Sequence, residues 1–156
     1  MSAGVKFLKP TRELIEAVAA DMRQADVDEI WASGHLTPLS ALLDGCEISD
    51  YTVVVVVNDV PCVVLGLVIR DILTGTGVPW LLGTDGALKY KRHFLIQVPE
   101  IINEMLTVCP RLFNYVHTEN KVSIKWLKRI GFTLGDPVEY GCEGELFHKF
   151  YLERSD

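Results

Sequence analysis

Hydrophobic and polar positions change their spacing several times along this chain, and the changes mark its elements. Val5 to Leu8 is a short apolar run closed by Lys9 and Pro10, a first strand. From Thr11 the spacing turns helical. Leu14, Ile15, Val18, Ala19 and Met22 form one stripe, and the Thr11 hydroxyl is placed to cap the first free amides. A second short helix is expected from about Asp26 to Ala32, stopped by Ser33 and Gly34, and Leu36 to Leu43 reads as a further helical turn with Gly45 behind it. Tyr51–Val57 and Cys62–Ile69 are two largely β-branched runs separated by Asn58-Asp59, which predicts an antiparallel hairpin. Their apolarity is continuous rather than alternating, so both faces should be buried and the hairpin central, with helices on either side. Gly66 inside the second run marks either a close approach or a bulge.

The second half repeats the strand-helix alternation. A loop is predicted from Asp71 to Gly77, a strand from Val78 to Leu82, a turn at Gly83-Thr84-Asp85-Gly86, and a long helix from His93 to about Val108, opened by Lys89, Tyr90, Lys91 and Arg92. Pro99 lies inside that helix and either kinks it or restarts it, because its ring removes an amide and crowds the preceding turn. Leu112 to Thr118 alternates as a half-buried strand. Asn120 stands at the N-cap position of a helix in which Val122, Trp126 and Ile130 share a face with Ser123 and Leu127 beside them, while Lys121, Lys125, Lys128 and Arg129 gather opposite. Gly131 stops it. Phe132 to Leu134 begins a strand, Gly135 to Gly144 reads as a loop, and Glu145 to Leu152 is the last strand.

Composition narrows the class. At 156 residues the chain suits one domain, 1–156, with a proper core. Hydrophobic residues at 49% and charged residues at 23% are ordinary for a soluble globular protein, and a net charge of −6 argues against a general nucleic-acid binder. Cys46, Cys62, Cys109 and Cys142 show no paired spacing and no histidine at ligand distance in sequence, which predicts neither a metal site nor a disulfide framework. Reduced thiols fit a cytoplasmic setting. No signal peptide is expected, and no segment approaches the roughly 20 apolar residues of a membrane span.

The stretch Asn114 to Phe132 resembles the C-terminal motif of the GNAT (Gcn5-related N-acetyltransferase) superfamily. Asn120, Ser123, Gly131 and Phe132 fall on the family's Asn, small-residue, Gly and Phe positions, whereas the position of its Tyr, whose hydroxyl protonates the departing thiolate, is Leu127 here. The resemblance implies the GNAT fold: an α/β (α+β) domain with a mixed, mostly antiparallel central sheet and helices on both faces. It also implies acetyl-CoA as cosubstrate and an amine of a protein or small molecule as acceptor. The strand, glycine turn and helix around residues 78–93 occupy the place of the family's diphosphate-binding motif, but Ala87, Tyr90 and Arg92 stand where it has Gln or Arg and two glycines. Lys89, Lys91 and Arg92 compensate if cations replace the glycine cradle, the alternative being a solvated basic face. These departures, together with the run from Asn114 to Gly131, are similar to GNAT-like proteins of short-tailed bacteriophages, including an internal virion protein. That likeness implies phage or host proteins as partners and a second role, assembly without catalysis.

By the same resemblance the parted strands near residues 81–85 and 113–118 form the cleft, where Leu82, Gly83, Asn120 and Ser123 join the three cations in cofactor binding. Asp26, Glu29, Trp31 and His35 line the acceptor wall and favour a cationic acceptor, the alternative being ordinary surface and packing residues. His117 is the expected base, histidine being the side chain whose ordinary charge change falls near neutrality, with Asp85 acting through a water as a second choice. Tyr115 and Tyr140 are the replacement acids. A histidine on an aromatic strand face is also a common packing residue.

Overall fold

The structure is a computed structural model and describes residues 4–155. In chain order its elements are β1 (Val5–Leu8), α1 (Arg12–Ala20), α2 (Gln24–Gly34), α3 (Pro38–Ile48), β2 (Tyr51–Val57), β3 (Val60–Asp71), β4 (Thr76–Gly83), the single turn α4 (Gly86–Lys89), α5 (Lys91–Val108), β5 (Arg111–His117), α6 (Lys121–Arg129), β6 (Thr133–Tyr140) and β7 (Glu145–Glu153). The seven strands form one sheet in the order β1-β2-β3-β4-β5-β7-β6, antiparallel everywhere except between β4 and β5. The mixed, mostly antiparallel sheet with helices on both faces is the architecture expected above.

The continuous valine runs explain the layering. Val53, Val55, Val57, Val63 and Leu65 point to the face covered by α5 and α6, where Phe94, Val98, Ile102 and Met105 meet them. Val54, Val56 and Val64 point to the opposite face, against Ile15 and Val18 of α1, Ile30 of α2 and Leu42 of α3. Successive residues of a strand face opposite sides, so a run apolar at both parities needs a layer on each.

Local chemistry sets the helix ends. Thr11 Oγ1 accepts the Leu14 amide at 3.2 Å, as its position predicted. A capping box between Thr37 and Ser40 starts α3, which runs on through Gly45 to Ile48 and is a full helix rather than one turn. Gly45 is tolerated inside it for a steric reason: a Cβ there would lie 2.9 Å from the Trp80 ring, and one at Gly66 would lie 2.6 Å from it. Gly66 therefore marks a close approach, and the bulge of this hairpin falls between Val55 and Val56 instead. The second helix is longer than its apolar text, Gln24–Gly34, and ends on His35 in the left-handed conformation (φ 54°) rather than on Ser33 and Gly34. The long helix continues through Pro99, which does not divide it.

Two further expectations change. The predicted loop 71–77 shrinks to a turn over 72–75, with β3 reaching Asp71 and β4 starting at Thr76, and the predicted loop 135–144 is strand as far as Tyr140. In each case antiparallel pairing with a neighbour carries a polar, glycine-containing stretch into the sheet. Across α6 the packed side chains are Ile124, Trp126, Leu127 and Ile130, while Val122 is exposed. Among the described residues no helix is long and apolar enough to cross a membrane, the four cysteines are free thiols, and no group of side chains is arranged to hold a metal ion.

Candidate active site

The parallel pair β4–β5 is joined at one end only. Thr76 pairs with Arg111 and Gly77 with Leu112; beyond that the strands part, although β4 continues to Gly83 and β5 to His117. A split inside a sheet leaves backbone groups without ladder partners, and such groups must find others. Side chains supply them. Asn114 spans the split, its Nδ2 donating to the Pro79 carbonyl at 2.8 Å while its Oδ1 accepts the Tyr115 amide at 2.8 Å. Further along, the Gly83 amide donates to Asp26 Oδ2 at 3.0 Å, and the His117 amide donates to Glu29 Oε1 at 2.6 Å.

One residue on the β4 edge is left over. Thr84 donates its amide to Cys62 on the β3 side, whereas Pro79 and Gly83 turn their polar groups toward the split. By the two-residue period of a strand, Leu81 turns its amide the same way, and no β5 residue pairs with it there.

The mouth of the split holds a buried polar cluster built from α2, β4 and α6. Arg23 is central: its Nη1 donates to Asp26 Oδ1 at 3.2 Å and to Ser123 Oγ at 3.3 Å, and its Nη2 donates to Asn120 Oδ1 at 3.2 Å. Asn120 Nδ2 in turn donates to Asp26 Oδ1 at 3.3 Å and to Glu29 Oε1 at 3.4 Å. Asn120 precedes α6 but does not cap it with its side chain, contrary to expectation; the amide is drawn inward by two carboxyls that would otherwise be buried with too few donors.

One guanidinium faces two carboxyls, so burial wins. Desolvation raises the pKa of Asp26 even against Arg23, the Gly83 amide and Asn120, and the charge of Asp85 adds to the rise. Glu29 is pushed up to about 7, first by burial and then by the neighbouring Asp26, against the hydrogen bonds from His117 and Asn120.

A cavity of about 360 Å³ passes through the split. Val98, Ile101 and Met105 of α5 and Ser123, Trp126 and Leu127 of α6 line it on one face, while Ser33, Leu36, Ala41 and Trp80 line it on the other. Leu81, Leu82, Asn114 and Glu29 lie between them. A second, more polar cavity of about 740 Å³ opens between α2 and the end of β5, lined by Asp28, Trp31, His117, Glu119, Asn120 and Glu145 among others.

Against this geometry the candidates named from sequence separate. Glu29, Leu82, Ser123, Tyr115 and Tyr140 line the first cavity. Tyr115 and Tyr140 are stacked with ring centroids 4.0 Å apart, and burial together with the Tyr115 phenol raises the Tyr140 pKa. Trp31, His117 and Asn120 line the second cavity. His117 is held on both nitrogens: the Glu119 amide donates to Nδ1 at 3.1 Å, which places the proton on Nε2, 2.8 Å from Glu145 Oε1. That arrangement turns its ring away from the split and leaves no free lone pair for a base. His35 lines neither cavity; it pairs with Glu143 and packs on Trp31. Asp26 is no acceptor wall, being 2% exposed and saturated by Arg23, Gly83 and Asn120. Asp85 is exposed at the start of α4 and lines neither cavity. The Gly83 amide is occupied by Asp26. Lys89, Lys91 and Arg92 are exposed beside the start of α5, where the one-turn helix α4 stands in place of an open glycine loop.

Sequence reasoning passed over Arg23 and Asn114, and both carry a signal. A cation at a helix N-terminus has the wrong sign for the helix dipole, which points to a specific anionic partner. An asparagine inside an apolar strand is disfavoured there, which points to a backbone group needing its amide.

A mixed sheet whose parallel pair parts around a cleft, with α1–α3 on one face and the long α5 and shorter α6 on the other, defines the class: this is the fold of the GNAT N-acetyltransferases. An acetyltransferase of that family from Bacillus anthracis superposes with a TM-score of 0.69 at 10% identity, covering 97% of this chain and 96% of its own. Ard1 from Thermoplasma volcanium gives 0.70 at 14% identity, covering 97% and 99%, and the microcin C7 self-immunity acetyltransferase MccE, solved with acetyl-CoA and AMP, gives 0.70 at 15%, covering 96% and 92%. At these identities the likeness is one of fold. No family model and no curated protein matches the sequence.

Proposed function

We propose that this chain is an N-acetyltransferase that moves the acetyl group of acetyl-CoA to a primary amine. The observation that carries the reading is the split itself, where the unpaired Leu81 amide and the Glu29 carboxyl border one cavity. Acetyl-CoA supplies the thioester; the chain has to place it, polarise it and accept a proton. An apolar slot between α5 and α6 suits the pantetheine arm, and Lys89, Lys91 and Arg92 suit the diphosphate, as side-chain cations in place of backbone amides.

The Leu81 N–H donates to the thioester oxygen as negative charge builds there. Glu29, with a pKa near operating pH, takes the proton that the amine must lose as its nitrogen bonds to the carbonyl carbon. The C–S bond then breaks and the thiolate leaves. Ser123 Oγ accepts from Arg23, so its own hydrogen is free to reach the departing sulfur, at the end of the cavity where Leu127 offers none. Tyr115 and Tyr140 serve as wall rather than acid, since each is stacked on the other.

Leu127 and the α4 turn favour one further reading: a GNAT fold retained by a short-tailed phage as a virion or assembly protein, acting in the host cytoplasm through protein partners. Calorimetric titration with acetyl-CoA separates the two. Micromolar binding, weakened in Lys89→Ala/Arg92→Ala, supports the enzyme; heat absent at millimolar acetyl-CoA sinks it and directs attention to a stable complex with a virion protein.

A further inference from the structure

Resting on the acetyl-transfer reading above, we infer that the acceptor is a monoamine with an apolar, ring-sized body, held on the α2–α3 face of the split. The first support is where the side chains point. Leu112 and Val116 join the α5–α6 core, so Tyr115, of opposite parity on β5, faces the other way. Tyr140 stacks on it, and Trp80 and Leu36 belong to the cluster packed with α1–α3. These four border the same cavity as Glu29. The side opposite the cations that suit the donor is thus an aromatic and aliphatic box with one carboxyl at its inner end.

The second support is charge. The sequence suggested an acidic wall for a cationic acceptor, but Asp26 is sealed off by Arg23 and borders no cavity. That leaves Glu29 for the reacting nitrogen and Asp44, exposed at the rim, for anything else. Beyond the one that Asp44 can pair, the additional ammonium groups of a polyamine would lie against Leu36, Ala41 and Trp80 with no carboxylate, which is costly for a desolvated charge. An apolar body meets no such cost and gains from leaving water. Trp80 also has no unmet polar group to offer, because its Nε1 already donates to Ser49 Oγ at 2.7 Å.

The test is calorimetric binding of 2-phenylethylamine, n-butylamine and spermidine to the full chain, each without acetyl-CoA, followed by thiol release with it. The expected result is that 2-phenylethylamine binds at least tenfold tighter than either of the others. Tyr140→Ala should raise its KM about tenfold and that of n-butylamine by clearly less, because the shorter chain covers less of the ring, and a thermal melt of the variant controls for folding. Tyr140 lies at the end of β6, an outer strand of the sheet, so loss of its ring should be tolerated. Tighter binding of spermidine, equal binding of all three, or no binding overturns the inference. Faster thiol release with spermidine overturns it too while upholding acetyl transfer. Selective binding of 2-phenylethylamine with no thiol released keeps the acceptor class and sinks the transferase reading.

Discussion

Glu29 Oε1 accepts the His117 backbone amide at 2.6 Å, so a carboxyl from α2 is fastened to the end of β5. The fastening orients the group without neutralising it, and its pKa of about 7 leaves it ready to take a proton near neutrality. The rate of amine acetylation at saturating acetyl-CoA should therefore rise with pH through about 7 and level off above it. Glu29→Gln should lower kcat by roughly 10²- to 10⁴-fold, the usual size of a general-base effect. His117→Ala should stay within a few-fold of wild type, since both of its ring nitrogens are already engaged. A reversed order of the two variants would return the base role to His117.

The same raised pKa makes a stability statement. The folded chain holds the Glu29 proton more tightly than the unfolded chain, whose carboxyl titrates near 4.5. Between those values the native state binds more protons, so Glu29's contribution to stability is most favourable below about 4.5 and declines as pH rises toward about 7. Asp26, also raised, contributes in the same direction. Glu29→Gln should flatten this decline, so that its Tm falls less than that of wild type between pH 5 and 8. An unchanged pH dependence in thermal melts would mean that Glu29 does not titrate as described.

Among the described residues Arg23 is the only cation hydrogen-bonded to the buried cluster, and its side chain is 11% exposed against 3% for Asp26. Breaking such a pair on one side leaves an uncompensated charge, which typically costs about 3–5 kcal/mol. Arg23→Met should destabilise on that scale in urea titration. Asp26→Asn in the Arg23→Met background should recover part of the loss, because a neutral amide can still accept the Gly83 hydrogen bond. Additive losses in the double variant would show that the two side chains do not interact.

Much of this architecture is legible from periodicity. The β2–β3 hairpin, the Thr11 cap, the long helix and the Asn120–Phe132 element follow from apolar spacing and from residues with strong local preferences. The strands that were missed, the start of β4 and most of β6, are short on apolar residues and each carry a glycine, and pairing rather than local text places them in the sheet. The site divides in the same way. Glu29 and Ser123 could be named from sequence, but not the raised pKa of Glu29, which depends on burial, on Asp26 and on His117, 88 positions away. Nor does the sequence tell that Gly83 spends its amide on Asp26, since the two are separated by 57 positions.

Asn114 makes the clearest test of the split itself. Its two bonds, to the Pro79 carbonyl and from the Tyr115 amide, occupy backbone groups that strand pairing would otherwise satisfy. Asn114→Leu is close in size, yet it leaves both groups without a partner where water has little access, at about 1–3 kcal/mol for each group that stays unsatisfied. Asn114→Asp keeps an acceptor for Tyr115 but places a carboxylate oxygen against the Pro79 carbonyl, so it should be destabilised as well. Urea titration should show both losses, and amide hydrogen exchange should show faster exchange at Tyr115 in Asn114→Leu alone. If the leucine variant were as stable as wild type and Tyr115 stayed protected, the strands would be closing on each other without the wedge, and the cleft would not be a fixed feature of the fold.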